Sequence, residues 1–250
     1  MRVGLLTSGD ISKFRENTLA PILKDENFNV VIALEDKRPK KTFKQKLIKN
    51  FKRGRGGYMI VMAFNKIFAK SEESIDLDEF CRNYKIEKIE TIKPYSEETI
   101  AKVKSYDLDV LLLIGGFGIV KDLMLNSSKH GVLSYHHGNM RKYRGMPPAL
   151  WEIYNNETEM GMTVQILTPG LDCGTPIEEK TIEIYAKDSF SSLETRAYKE
   201  SEGMMYRALK KLNDPSFAPE KIDKFGEVYT LPNLTQWIVL NFRILKRKLF

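Results

Sequence analysis

The sequence predicts an α/β fold, a mainly parallel sheet covered by helices on both faces. Three observations carry that expectation. Short apolar runs recur at Val3 to Thr7, Val30 to Leu34, Val110 to Ile114 and Gly131 to Tyr135. Turn residues bound them, and stretches of helical periodicity separate several of them. Strands buried on both faces lose the alternation of a half-wet strand, so continuous runs of this length point to a sheet with a layer on each side.

After the first run, Ser8-Gly9-Asp10 turns the chain into a helix whose apolar side includes Leu19, Ile22 and Leu23. The second run follows. A helical stretch around Glu97 to Lys104 precedes the third run, so the connection between the second and third runs is far longer than an ordinary crossover and reads as carrying an insertion. Past Pro147-Pro148, Ala149 to Tyr154 reads as a helix begun by a proline in its first turn. Met162 to Leu167 and Ile177 to Tyr185 read as strands, the second with one wet face. A helix from about Ser192 to Leu212 is expected next, then a winding tail with a short extended stretch at Glu227 to Leu231, closed by Leu234 to Phe250. The expected organisation is a domain over 1–212 with an insertion at about 37–70, and a C-terminal extension over 213–250.

At 250 residues, 42% hydrophobic and 29% charged, the composition excludes a disordered or fibrous chain. Cys81 and Cys173 stand far apart in no metal-ligand or redox spacing, and the apolar stretch Val3 to Leu6 is too short for a secretion signal or a span, so a cytoplasmic protein is expected. Charge is uneven. From Lys37 to Lys70 there are 12 Lys or Arg and no acidic residue, within a chain of net charge +7, so a mildly acidic body carries one basic segment suited to an anionic partner. Within it Phe43, Leu47, Ile48 and Phe51 recur at helical spacing, with Lys44, Lys46, Lys49 and Lys52 toward the flanks and far side. An anionic membrane face or a phosphate-bearing ligand fits that segment together with the cationic C-terminus (Arg243, Lys246, Arg247 and Lys248), with nucleic acid the lesser expectation; a helix packed on the domain with a solvated basic face explains the same pattern.

Two of the three histidines, His136 and His137, stand side by side at the end of the fourth run. Ligands of open α/β sheets bind at the carboxyl ends of strands, so the position suggests a site, although turn histidines bonded to backbone would look the same. Alternation places only one of them on a given side. Further on, Gly170-Leu171-Asp172-Cys173-Gly174 holds a carboxylate in a tight turn, where it either caps its own backbone or orients an imidazole as a proton donor. Gly115-Gly116-Phe117-Gly118 is no dinucleotide fingerprint, because Lys121 stands where its third glycine would fall. It reads instead as a turn whose exposed backbone can face a flat ligand, or simply as a strand-to-helix turn.

These residues resemble the folate-dependent formyltransferases. The stretch SYHHGNMRKYRGMPP is similar to that family's Asn-x-His-x-Ser-Leu-Leu-Pro-x-Tyr-Arg-Gly, and GLDCG to its Gly-Leu-Asp-x-Gly. The resemblance covers roughly residues 1 to 210 apart from the basic segment. It implies a Rossmann-like fold, 10-formyltetrahydrofolate as formyl donor, and a small-molecule amine as acceptor. It places the catalytic His at His136, the catalytic Asp at Asp172, and Ser134 where the family has an Asn that donates to the formyl oxygen. It further implies donor binding by Gly116, Phe117, Gly118 and Ile119, and acceptor binding by Gly9, Asp10, Tyr143 and Arg144. Among acceptors, an amino sugar linked to a nucleotide or a lipid is expected, ahead of initiator tRNA, glycinamide ribonucleotide or water; the alternative of another class, motivated by Ser134, is a ligand-binding module of the same fold without catalysis.

Overall fold

The computed structural model describes residues 1–40, 42–54 and 73–249. A seven-stranded sheet in the order β10-β9-β7-β6-β1-β3-β5 organises the chain. Its strands are β1 (Arg2–Thr7), β3 (Asn29–Asp36), β5 (Glu87–Thr91), β6 (Val110–Leu113), β7 (Val132–His136), β9 (Glu159–Ile166) and β10 (Thr175–Glu183). The pairs from β7 to β5 are parallel, whereas β9 runs antiparallel to β7 and β10 antiparallel to β9. The expected α/β architecture is therefore present.

Each face of the sheet has its own core. Leu5, Leu112, Leu133 and Val164 pack with Leu19 and Ile22 of α1 (Lys13–Lys24) and with Met205 and Leu209 further along the chain. Leu6, Ile32, Leu111 and Val132 form a second cluster with Phe117 and Met124. Burial of these branched side chains, each contributing about 1.5–3 kcal/mol, is what holds the parallel strands in place. Only the residues alternate; both sides are apolar, which is why the runs are continuous in sequence.

The basic segment begins with α2 (Phe43–Phe51), whose Thr42 caps it reciprocally with Gln45. Residues 55–70, with the glycines at 56 and 57, lie outside the described residues. Beyond them come the short β2–β4 pair (Ile11–Ser12 with Ser74–Ile75), α3 (Leu77–Tyr84) and β5. The long connection thus holds an ordinary helix and an edge strand that sequence periodicity did not reveal. In EKIET only Ile89 is buried, as suits a strand with one neighbour. The helix α4 (Glu97–Lys104) matches its expected bounds.

One further correction concerns the second half. The single helix expected to Leu212 is two, α7 (Phe190–Ser201) and α8 (Met204–Leu212), broken at Glu202-Gly203. Residues 213–249 pack on the body: β11 (Glu227–Tyr229) pairs in parallel with β8 (Tyr143–Gly145), and α9 (Leu234–Leu249) packs beside α6 (Leu150–Tyr154) with Leu240 fully buried. A short α5 (Asp122–Leu125) follows the Gly-rich turn.

Candidate active site

Strand order reverses between β1 and β6, and at such a switch point loops from adjacent strands leave in opposite directions and open a crevice. Here the crevice is a cleft of roughly 990 Å³ lined by the Gly-rich turn after β6, the start of α1, the end of β7 and one side of α7. Gly115, Gly116 and Gly118 all adopt positive φ. A side chain at Gly116 would also run into Ser8, and one at Gly115 into the Arg15 guanidinium, so the turn presents bare backbone to the cleft.

Gly116, Phe117 and Gly118 line the cleft as expected, but Phe117 does so from the core, being 1% exposed and packed edge to face on Tyr95. Ile119 points elsewhere: its side chain is exposed and its carbonyl accepts from the Tyr95 hydroxyl. Arg38 clamps this turn. It forks onto Asp36, donates from Nη2 to the Phe117 carbonyl at 3.0 Å, and lies over the Tyr95 ring at 5.3 Å. Lys37 likewise pairs with buried Glu35. Two cations read as part of a solvated basic stretch are therefore bound at the carboxyl end of β3.

The far wall is aromatic. His137 stacks on Tyr135 and contacts Phe14 and Tyr198, with Nε2 at 2.9 Å from Ser201 Oγ. Burial in this cage pushes its pKa down to about 3, helped by the charge of His136, so the ring is neutral near pH 7. Glu194 also lines the cleft, and burial raises its pKa. Arg15, Asn17, Glu194 and Tyr198 were not legible as site residues, because each is a polar residue on the outer side of a helix until the fold turns it toward the strand ends.

Behind this wall, β7 and β9 bring the remaining groups to one sheet face. Register pairs Ser134 with Gln165 and His136 with Thr163 across the antiparallel strands, so these four side chains share a side. His136 is buried; Nδ1 lies 3.4 Å from Asp172 Oδ2, and Nε2–H donates to the Tyr143 carbonyl at 2.9 Å. Asp172 takes a positive φ in the turn after β9, and its Oδ2 also accepts from Gly145 N at 2.8 Å. Gly145 in turn sits against the Tyr229 carbonyl, where no Cβ fits. Gln165 fixes the Asp172 turn from below by accepting from Gly174 N at 2.8 Å, while its own Nε2 has no hydrogen-bond partner among the described residues.

The sequence-expected pair His136–Asp172 is thus brought together. His136 of this pair lines a narrow cleft of about 10 Å³ with Tyr143, Arg144, Gly145 and Glu152, room for about one water, and His137 lines both clefts. Ser134 lines the wide cleft, with its hydroxyl donating to the Tyr135 carbonyl at 3.2 Å. Asn139 lines neither cleft, and its Oδ1 accepts from Arg141 N in the turn after β7. Tyr143 and Arg144 serve as braces. The Tyr143 hydroxyl donates to Glu157, and Arg144 donates to the carbonyls of Gly226 and Leu171. Gly9 and Asp10 flank the mouth rather than line it: Gly9 turns at positive φ, and the Asp10 carbonyl accepts from Arg15.

An imidazole held by a carboxylate, beside a ligand cleft floored by bare backbone at a switch point, defines an α/β protein equipped for acyl-group chemistry. The chain belongs to the formyl transferase family, whose model matches residues 69–209. Among curated proteins it is 27% identical over 135 residues to the methionyl-tRNA formyltransferase of Citrifermentans bemidjiense, a match over 54% of this chain and 42% of that one. The chain thus spans less than half the length of the curated relatives it matches. Among solved structures, it superposes on the N-formyltransferase of Helicobacter canadensis in complex with folinic acid and dTDP-3-aminofucose, with a TM-score of 0.61 and 16% identity over 97% of this chain and 79% of that one. It also superposes on the phosphoribosylglycinamide formyltransferase of Anaplasma phagocytophilum, with a TM-score of 0.60 and 16% identity over 92% and 99% of the two chains. At that identity the superpositions speak for the fold.

Proposed function

We propose that this protein transfers a formyl group from 10-formyltetrahydrofolate to an amine, and that the amine belongs to an amino sugar linked to a nucleotide or a lipid. The observation that carries the reading is the His136–Asp172 pair, with Gly145 N on the same carboxylate oxygen, next to the backbone-floored cleft. The Gly-rich turn fits a flat pterin, since side chains at Gly115 or Gly116 would collide with their neighbours and fill that space. The donor supplies an activated formyl carbonyl. In balance, the amine nitrogen bonds to the formyl carbon, the carbon's bond to the folate nitrogen breaks, the amine loses a proton and the folate nitrogen gains one.

This chain's residues contribute position, charge and a proton. Asp172 fixes the plane of the His136 ring, and Nε2–H is the donor available to the developing oxyanion and then to the leaving nitrogen. For that, Nε2–H must exchange the Tyr143 carbonyl for the substrate. Neutral His137 and its aromatic cage exclude water and offer stacking surface to the acceptor. The amino-sugar reading is supported by superposition, over 97% of this chain and 79% of the other, on a protein solved with an aminated sugar nucleotide. Incubation with 10-formyltetrahydrofolate and a panel of amino-sugar nucleotides, read by mass spectrometry, tests it: one formylated sugar is expected. Formate release without formylated product would make the protein a hydrolase.

A further inference from the structure

The last helix carries an apolar stripe that nothing in the described residues covers. Leu234, Ile238, Phe242, Leu245 and Leu249 are 49%, 60%, 67%, 55% and 67% exposed. Their spacing of four, four, three and four residues keeps them on one side of a 3.6-residue helix. The opposite side does the packing. Leu240 is fully buried, Trp237 meets Phe190 with ring centroids 5.6 Å apart, the Arg243 guanidinium lies 4.6 Å over Tyr154, and Arg247 donates to the Tyr185 carbonyl. The helix is therefore anchored through one face, and the exposed stripe is free of that duty.

Charge identifies the occupant. Over Leu234–Leu249 there are four cations and no acidic residue. Arg243 and Arg247 are turned inward, whereas Lys246 and Lys248 are exposed and fall on either flank of the stripe, at about 80° from its centre on a helical projection. An apolar stripe with a lysine on each side is the form of a helix lying in a lipid interface, where the alkyl stems follow the apolar residues down and the ammonium groups stay at the headgroups. A second copy of the helix would bring the same unpaired positive charge, which disfavours self-association through this face. No helix among the described residues is long and apolar enough to cross a membrane, so the contact is one of lying on the surface.

We propose that α9 docks this protein on an anionic lipid leaflet through Leu234, Ile238, Phe242, Leu245 and Leu249, with Lys246 and Lys248 at the headgroups. The inference holds whatever the acceptor of the formyl group is. It gives the C-terminal helix a docking role of its own beside the basic segment, in which Lys37 and Arg38 are engaged by Glu35 and Asp36.

Co-sedimentation with vesicles of phosphatidylglycerol and phosphatidylcholine, against vesicles of phosphatidylcholine alone, tests this at low and high salt. Each lysine near an anionic leaflet is worth about fivefold in affinity, so Lys246→Gln with Lys248→Gln should weaken binding to the anionic vesicles by about tenfold or more. Phe242→Ser with Leu245→Ser should weaken it at least as much, with the melting temperature kept. If that pair fails to fold, the lysine pair, exposed and outside the packing, decides the matter alone. Negligible binding of the full chain to either vesicle, or binding that survives the lysine pair unchanged, would overturn the proposal. So would a dimer in sedimentation equilibrium that Phe242→Ser with Leu245→Ser dissolves.

Discussion

Asp172 reaches His136 from a different pair of strands, with Oδ2 3.4 Å from Nδ1 and the same oxygen accepting from Gly145 N. One carboxylate oxygen therefore joins the β9–β10 turn, the end of β7 and the β8 strand. Asp172→Asn keeps an acceptor for Gly145 N while removing the charge that orients the ring. Turnover is expected to fall by about a hundredfold or more in Asp172→Asn and in His136→Ala, the scale of a lost general acid or electrostatic partner. Steady-state formyl transfer, with melting curves to show retained folding, checks it; an Asn variant within threefold of the parent would remove Asp172 from the mechanism.

Ser134 is short and bonded to the Tyr135 carbonyl, so it offers the cleft no strong donor. Gln165, its partner across the strands, has an Nε2 with no hydrogen-bond partner among the described residues. An Asn at 134 could accept from that nitrogen and turn its own N–H groups outward. Ser134→Asn should therefore raise turnover about tenfold or more, since a donor at a developing oxyanion is commonly worth a hundredfold or more. A large fall in rate would show that the site has been rebuilt around the hydroxyl.

Arg38 does not itself line the cleft, yet it holds the carbonyl of the lining residue Phe117 to β3. Arg38→Ala should raise KM for the folate donor several-fold and leave kcat nearly unchanged, because it loosens the turn that receives the ligand and spares the reacting groups. Equal losses in kcat and kcat/KM would place the effect in the chemistry instead.

Glu152 is 3% exposed in the narrow cleft, and burial raises its carboxyl to about 7. The folded state then holds a proton that the unfolded chain gives up near pH 4.5. Stability from this group is present at low pH and lost as pH rises from about 4.5 to about 7, a change of about 3 kcal/mol. Glu152→Gln should remove that loss, so its melting temperature should gain on the parent more at pH 8 than at pH 5. A constant difference across that range would mean that Glu152 is not desolvated in solution.

How much of this was legible in the sequence depended on what each residue had to do. The strands β1, β3, β6 and β7 announced themselves because burial on both faces makes them continuous apolar runs. The edge strand β5 did not, since four of its five residues face water or charge partners. His136 and Asp172 were visible through the glycines and strand end that frame them and through the family resemblance. Arg38 was not, because a cation's partner across the sheet leaves no periodic mark along the chain. The aromatic and acidic wall from α1 and α7 was hidden for the same reason.

The most direct test of the account is formyl transfer itself, measured with purified protein, 10-formyltetrahydrofolate and the panel of amino-sugar nucleotides. The account predicts a formylated amino sugar, formed by the parent protein and reduced by about a hundredfold or more in His136→Ala. No formyl transfer to any amine of the panel, or transfer that persists undiminished in His136→Ala, would contradict it.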